Sequence, residues 1–201
     1  MKNQLLKTLL IIFAISASLL SCKEDEEVKT NSFRYNDKEA LIGTVMSLNW
    51  DQLDINVYGY AVYIFEKTLT IYYSNGYPDS LSGSGDAIIL EMHSSDATGI
   101  KPGDYTYSAS ESPYLANTFG LESGLFIFTD ASTNDNPVPI QFSSGNVNVK
   151  KNGDEYEFTF TLKTEINSTI TGYYKGKITS YDEKKGKSPV KNPFVFHSLI
   201  R

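Results

Sequence analysis

The most regular pattern in the chain lies between residues 145 and 180. Glu155-Tyr-Glu-Phe-Thr-Phe-Thr-Leu-Lys163 alternates without a break. Tyr156, Phe158, Phe160 and Leu162 fall on one side, and Glu155, Glu157, Thr159, Thr161 and Lys163 fall on the other. Side chains of a strand point to opposite faces in turn, so this segment predicts a strand with one buried and one wet face. Gly145-Asn-Val-Asn-Val-Lys150 alternates in the same way, and the intervening Lys151-Asn-Gly-Asp154 carries the Asn-Gly pair of a tight hairpin. Residues 169–180 set Ile170, Tyr174 and Ile178 on one side, with Gly172 and Gly176 in the same register, where absent side chains leave room for a bulky neighbour or a bend. The three segments predict an antiparallel meander.

Shorter patterns fill the rest. Phe33-Arg34-Tyr35 and Ala40-Leu41-Ile42 flank Asn36-Asp37-Lys38 and predict a first hairpin. Residues 44–50, 60–65 and 68–73 predict strands, as do residues 86–93 with Ile88, Leu90 and Met92 on one face. Lys101-Pro-Gly-Asp104 predicts a turn into Tyr105-Thr106-Tyr107. The unbroken apolar run Leu125-Phe-Ile-Phe128 fits a strand covered on both sides. Residues 74–85 and 131–137 read as long polar loops, and Phe194–Ile200 as a last strand after a basic loop at 184–193. Many short strands with regular turn signals predict an all-β antiparallel two-sheet β-sandwich, with a closed or partly open antiparallel β-barrel as the alternative.

The N-terminus follows a different rule. Lys2 and Lys7 precede an apolar run, Leu9 to Leu20, which falls short of the roughly 20 residues of a membrane span. Leu19-Leu20-Ser21-Cys22 closes it, and Cys22 is the only cysteine in the chain. This order resembles a bacterial lipoprotein signal peptide with its lipobox. The resemblance implies cleavage after residue 21 and acylation of Cys22. The following Lys23-Glu24-Asp25-Glu26-Glu27 resembles the surface-export signal of Bacteroidetes lipoproteins. The expected layout is therefore a signal peptide at 1–21, an acylated acidic tether at 22–32 and a single β domain at 33–201. Lys101-Pro-Gly-Asp-Tyr105, Gly145-Asn-Val-Asn-Val149 and Ile170-Thr-Gly-Tyr-Tyr-Lys-Gly176 extend the likeness to small β-rich lipoproteins of that phylum. The implied address is the outer membrane, lipid-anchored and facing the medium.

Charge and composition narrow the choice. Removing residues 1–21 takes away Lys2 and Lys7 and no acid, which moves the formal charge from −6 to −8. Such a domain is a poor partner for nucleic acid, whose phosphates need clustered Lys and Arg. With one cysteine no internal disulfide can form, so stability rests on packing.

Motifs for catalysis are sparse. His93 and His197 lack metal-ligand spacing, and neither an HExxH helix nor a GxSxG elbow is present. Asp130, Asn134 and Asp135 offer loop oxygens of the kind calcium takes, without the spacing of an EF-hand. Asp79-Ser80-Leu81 resembles the short O-glycosylation motif of Bacteroidetes, with Ser80 as acceptor. Aromatic rings offer the best ligand chemistry, because a ring on a rigid strand can stack on a sugar. Trp50 beside Asp51, with Tyr58, Tyr60, Tyr72 and Tyr77, are the candidates, although strands also favour aromatics for core volume. The expected protein is a non-enzymatic binding or structural module with no cofactor, its partner a glycan or an envelope protein. The competing expectation is a surface hydrolase whose catalytic groups converge only in space.

Overall fold

The structure, a computed structural model, describes residues 29–110, 112–132 and 137–182. The leader at 1–21, Cys22, Lys23–Glu27, Asn134, Asp135, His197, the basic loop 184–193 and the expected last strand lie outside the described residues. Within them every regular element is a β-strand. β1 (Ser32–Tyr35), β2 (Lys38–Asp54) and β3 (Val57–Glu66) follow one another through two-residue turns. β4 (Thr70–Ser74) and β5 (Tyr77–Ser82) form a small sheet of their own. Next come β6 (Gly85–Ser94), β7 (Gly103–Tyr107), β8 (Thr118–Phe119) and β9 (Gly124–Phe128). β10 (Ile140–Asn152), β11 (Glu155–Thr164), β12 (Thr169–Lys177) and β13 (Thr179–Asp182) complete the order.

The sandwich expectation gives way to its alternative, a closed barrel. The wall runs β1-β12-β11-β10-β7-β8-β6-β3-β2, and β2 pairs with β1 again, so nine strands close. The closing piece is the short strand β1, whose Phe33 faces Gly172 on β12 and Ala40 on β2. β13 follows β12 after one residue and pairs with β2 in parallel at Met46–Asn49, which extends the seam. β2 serves β1, β3 and β13 because it is 17 residues long and its pairing with β3 shifts register at three places. Such bulges bend and twist a strand, which closure requires. β9 fills the gap between β6 and β10 at one level, and β7 with β8 fills it at the other.

The interior is packed. Phe33, Tyr60, Tyr105, Phe119, Phe142, Phe158 and Phe160 meet Val, Ile and Leu of β2, β3, β6, β10, β11 and β12. On β11 the faces divide as the alternation predicts, with Phe158, Phe160 and Leu162 buried and Glu155, Thr159, Thr161 and Lys163 exposed. Gly172 has the role its register suggests: a Cβ there would lie 2.2 Å from Cζ of Phe160, so the ring lies across the glycine. An apolar interior beside a polar outer wall on β10–β12 is the inverse of a membrane-spanning barrel.

A second core sits outside the barrel. Met46, Ala61, Tyr63, Phe65, Ala87, Ile89, Phe126 and Phe128 point outward from the wall, where Leu69 and Leu81 of the β4–β5 segment cover them. The expected loop at 74–85 is therefore corrected to a hairpin. Asn75 and Gly76, with φ of 52° and 82°, form its two-residue turn between Ser74 and Tyr77. Positive φ at both central positions is what the favoured hairpin turn needs, and Asn-Gly supplies it at least cost. The double cover expected of 125–128 holds for Leu125, Phe126 and Phe128, whereas Ile127 is 44% exposed.

Candidate functional site

β3 carries Tyr58, Tyr60, Val62 and Ile64 on its inward side, and this register decides the fate of two candidate aromatics. Tyr60 is 3% exposed, and its hydroxyl donates to the carbonyl of Asp96 at 3.0 Å. Tyr58 is half-buried against the same interior. Neither joins the other four candidates.

Burial, with Asp96 nearby, pushes the Tyr60 phenol up to about 12, and burial does the same for Tyr105, whose hydroxyl donates to the Lys101 carbonyl. An unfolded tyrosine ionises near 10. Between pH 10 and 12 the unfolded chain therefore gives up protons that the barrel retains, and stability falls across that window. Urea unfolding at pH 9.5 and 11.5 is expected to show the loss, and Tyr60→Phe is expected to flatten it. An equal slope in the variant would contradict the assignment.

Trp50, Tyr72 and Tyr77 lie on the outer side, around the hairpin. Trp50 is half-buried over Gly59, where a Cβ would come within 3.2 Å of Cε3. Asp51 follows at a bulge with φ of 80°, and its N–H donates to Oδ1 of Asn49 at 2.8 Å. Tyr77 of β5 meets Tyr181 of β13, with ring centroids 5.7 Å apart. Burial and a hydrogen bond with Tyr73 push the Tyr181 phenol up to about 12. Tyr72 and Tyr73 stay 53% and 52% exposed, because the hairpin register shifts between them and breaks the usual alternation. Ser82 Oγ donates to the Tyr72 hydroxyl at 3.3 Å.

Tyr73, Tyr77 and Tyr181 thus meet at the hairpin, with Tyr72 next to Tyr73 on β4, while Trp50, Leu48, Ile71 and Tyr181 pack on the outer core. Tyr73 and Tyr181 were outside the sequence candidates. The Asn75-Gly76 signal could have placed Tyr73; nothing local marks Tyr181. Ser80 is half-buried on β5, in a strand instead of an open loop. Asp130 accepts from the N–H and hydroxyl of Ser132, and these bonds hold its carboxyl below the usual range. Among the described residues no three His, Cys, Asp or Glu side chains gather as a metal site would require.

Two buried polar arrays lie elsewhere. His93 and Glu91 point outward from β6 beneath the segment 112–123. Thr118 Oγ1 donates to the carbonyl of Leu115 at 2.6 Å, so His93 Nδ1 must supply the proton of its 2.8 Å bond to that hydroxyl. His93 Nε2 then faces Glu91 Oε1 at 3.4 Å, and the ring of Tyr114 meets the imidazole edge-on. The order hydroxyl, imidazole, carboxylate matches a catalytic triad, yet the hydroxyl proton is committed to a carbonyl and His93 is 1% exposed. What the array does is fasten the strap. Gly120 donates to the Glu91 carbonyl at 2.8 Å, and a Cβ at Gly120 would sit 2.2 Å from Glu91 Oε2.

The other array closes one end of the barrel. Asp86 accepts from Tyr35 at 2.5 Å and from Lys38, and Lys38 also reaches Glu66 at 3.1 Å. Burial, then the Asp86 bond, holds the Tyr35 phenol well above its ordinary value.

Comparison with protein-family models, curated proteins and solved structures finds no match to this chain.

Proposed function

We propose that this chain is a lipid-anchored, surface-displayed module of the outer membrane that binds a glycan or an envelope protein without catalysing a reaction. The observation that carries the reading is the set of tyrosines at the hairpin, where Tyr72 and Tyr73 stay half-exposed on the small sheet outside the wall. Rings fixed in this way present a flat apolar face at little entropic cost, which suits a sugar ring or a partner side chain. A hydrolase reading has less support, since the Thr118 hydroxyl beside His93 donates to the Leu115 carbonyl and Asp86 already accepts from Tyr35 and Lys38. The anchor reading is supported by the place of Cys22 after an export-type apolar run and before an acidic tether.

A glycan array followed by calorimetry, with a pull-down from envelope extracts, tests the binding. Tyr72→Ala with Tyr73→Ala is expected to weaken it by about tenfold or more, the loss of one or two ring contacts. Silence in both assays, or unchanged binding by the double variant, would end the proposal. Mass spectrometry of the native N-terminus tests the anchor separately; an unmodified Cys22 would refute it.

A further inference from the structure

Away from the hairpin, the outer wall carries a groove of about 920 Å³ between β10–β12 and the segment that enters β1. Its charge runs against that of the chain. Lys29, Lys67, Lys150 and Lys175 line it against Glu155 and Glu157, in a protein of formal charge −6. Lys150 is spent on Glu157 at 3.1 Å. Among the described residues no carboxylate comes within ion-pair distance of Lys67, Lys175 or Lys29, whose ammonium lies 5.1 Å from the Tyr173 ring centre.

The backbone beneath these lysines is fixed by chain-distant bonds. Asn31 pairs with Lys175 through both its side-chain atoms, at 3.0 and 2.8 Å, and Lys67 N–H donates to the Leu41 carbonyl at 2.7 Å. The groove thus combines two ammoniums without a charged partner, Lys67 and Lys175, with the Lys29 ammonium held over the Tyr173 ring and the 47% exposed Leu41. Even with Glu155 and Glu157 in its lining the groove keeps an excess of lysines, and a concave site with an excess of one sign focuses its field on ligands of the other sign. Its volume falls in the range of small-ligand sites, roughly 300–1,000 Å³.

The geometry points to this groove as a binding site for an acidic saccharide, with carboxylates on Lys67 and Lys175 and a sugar ring against Leu41 beside the Lys29–Tyr173 pair. It is separate from the hairpin tyrosines and needs neither them nor the anchor.

The full chain in a nonionic detergent, titrated by calorimetry with trigalacturonate and with neutral cellotriose, tests it. The expected result is trigalacturonate binding that weakens with added salt, exceeds cellotriose binding at least about tenfold, and falls by about tenfold or more in Lys67→Gln/Lys175→Gln. Both lysines are exposed and bond the fold only through backbone, so an unchanged melting temperature is expected and separates lost binding from lost structure. Lys101→Gln, outside the groove, is expected to bind normally. Tyr72→Ala/Tyr73→Ala should leave trigalacturonate binding intact, so failure of the hairpin reading is distinguishable from failure of this one. Equal binding of the neutral sugar, no effect of the double lysine change, or binding only to phosphatidylglycerol vesicles would overturn the inference.

Discussion

Phe160→Ala is expected to lower the unfolding free energy by about 3–5 kcal/mol, the usual cost of removing a buried ring that its surroundings cannot replace. Phe160 is 2% exposed in the barrel interior and lies opposite Gly172, whose missing side chain makes the space for the ring. The atoms nearest a Cβ at Gly172 are Cζ, Cε2 and Cε1 of the ring, which leucine lacks. Gly172→Ala alone should therefore cost about 1–3 kcal/mol by overpacking. In a Phe160→Leu background the same change should cost much less. A double-mutant cycle from urea unfolding measures the coupling, expected at about 0.5–3 kcal/mol for residues in direct contact. Strict additivity would mean that the ring and the glycine do not share the space.

Lys38→Met is the second large effect, expected near 3 kcal/mol. Asp86 and Lys38 form one pair with unequal burial: their side chains are 2% and 42% exposed. Removing the lysine leaves a carboxylate inside the barrel end with only Tyr35 to answer it, and breaking a buried pair in this way costs about 3–5 kcal/mol. The lower end applies because Lys38 is partly in water. Asp86→Asn should cost less, since Lys38 keeps Glu66 and the amide oxygen can still accept from Tyr35. The double change Lys38→Met/Asp86→Asn should recover part of the loss, again read from urea unfolding. A double variant as unstable as the sum of the singles would remove the pair from the account. Burial works against the Lys38 charge, but the bonds to Asp86 and Glu66 outweigh it and hold its pKa above 10.5. This contribution is present below pH 10.5 and is lost above it, adding to the alkaline weakening expected from Tyr60 and Tyr105.

Much of the wall was legible residue by residue. Asn36-Asp37, both at positive φ, marks the first hairpin, and the Asn152-Gly153 signal falls one residue ahead of the actual turn, Gly153-Asp154, where only Gly153 takes positive φ. Asn75-Gly76 carries the same signal, masked by the polar stretch around it. The site was far less legible. Tyr60 and Tyr72 look alike as strand aromatics, yet one is 3% exposed and the other 53%. Which face is inside depends on what covers it, and the outer face of β3 and β6 is covered too, by a hairpin that reads as polar.

The sequence by itself determined the strand character of the chain, the two faces of β11 and the meander as far as Lys177, because the period-2 alternation and the preference for positive φ are local steric properties. Thr179 and Ser180, expected in the third meander strand, belong instead to β13 on β2. Only the tertiary structure decided that the sheet closes into a barrel, that His93 is sealed under a strap, and that Lys67 and Lys175 share a groove. Closure and the groove depend on backbone bonds between distant segments, such as the pairing of β1 with β12, where Phe33 faces Gly172, and the bond from Lys67 N–H to the Leu41 carbonyl. Strand-edge N–H and C=O groups are the same in nearly every residue, so no side chain announces which edges will meet.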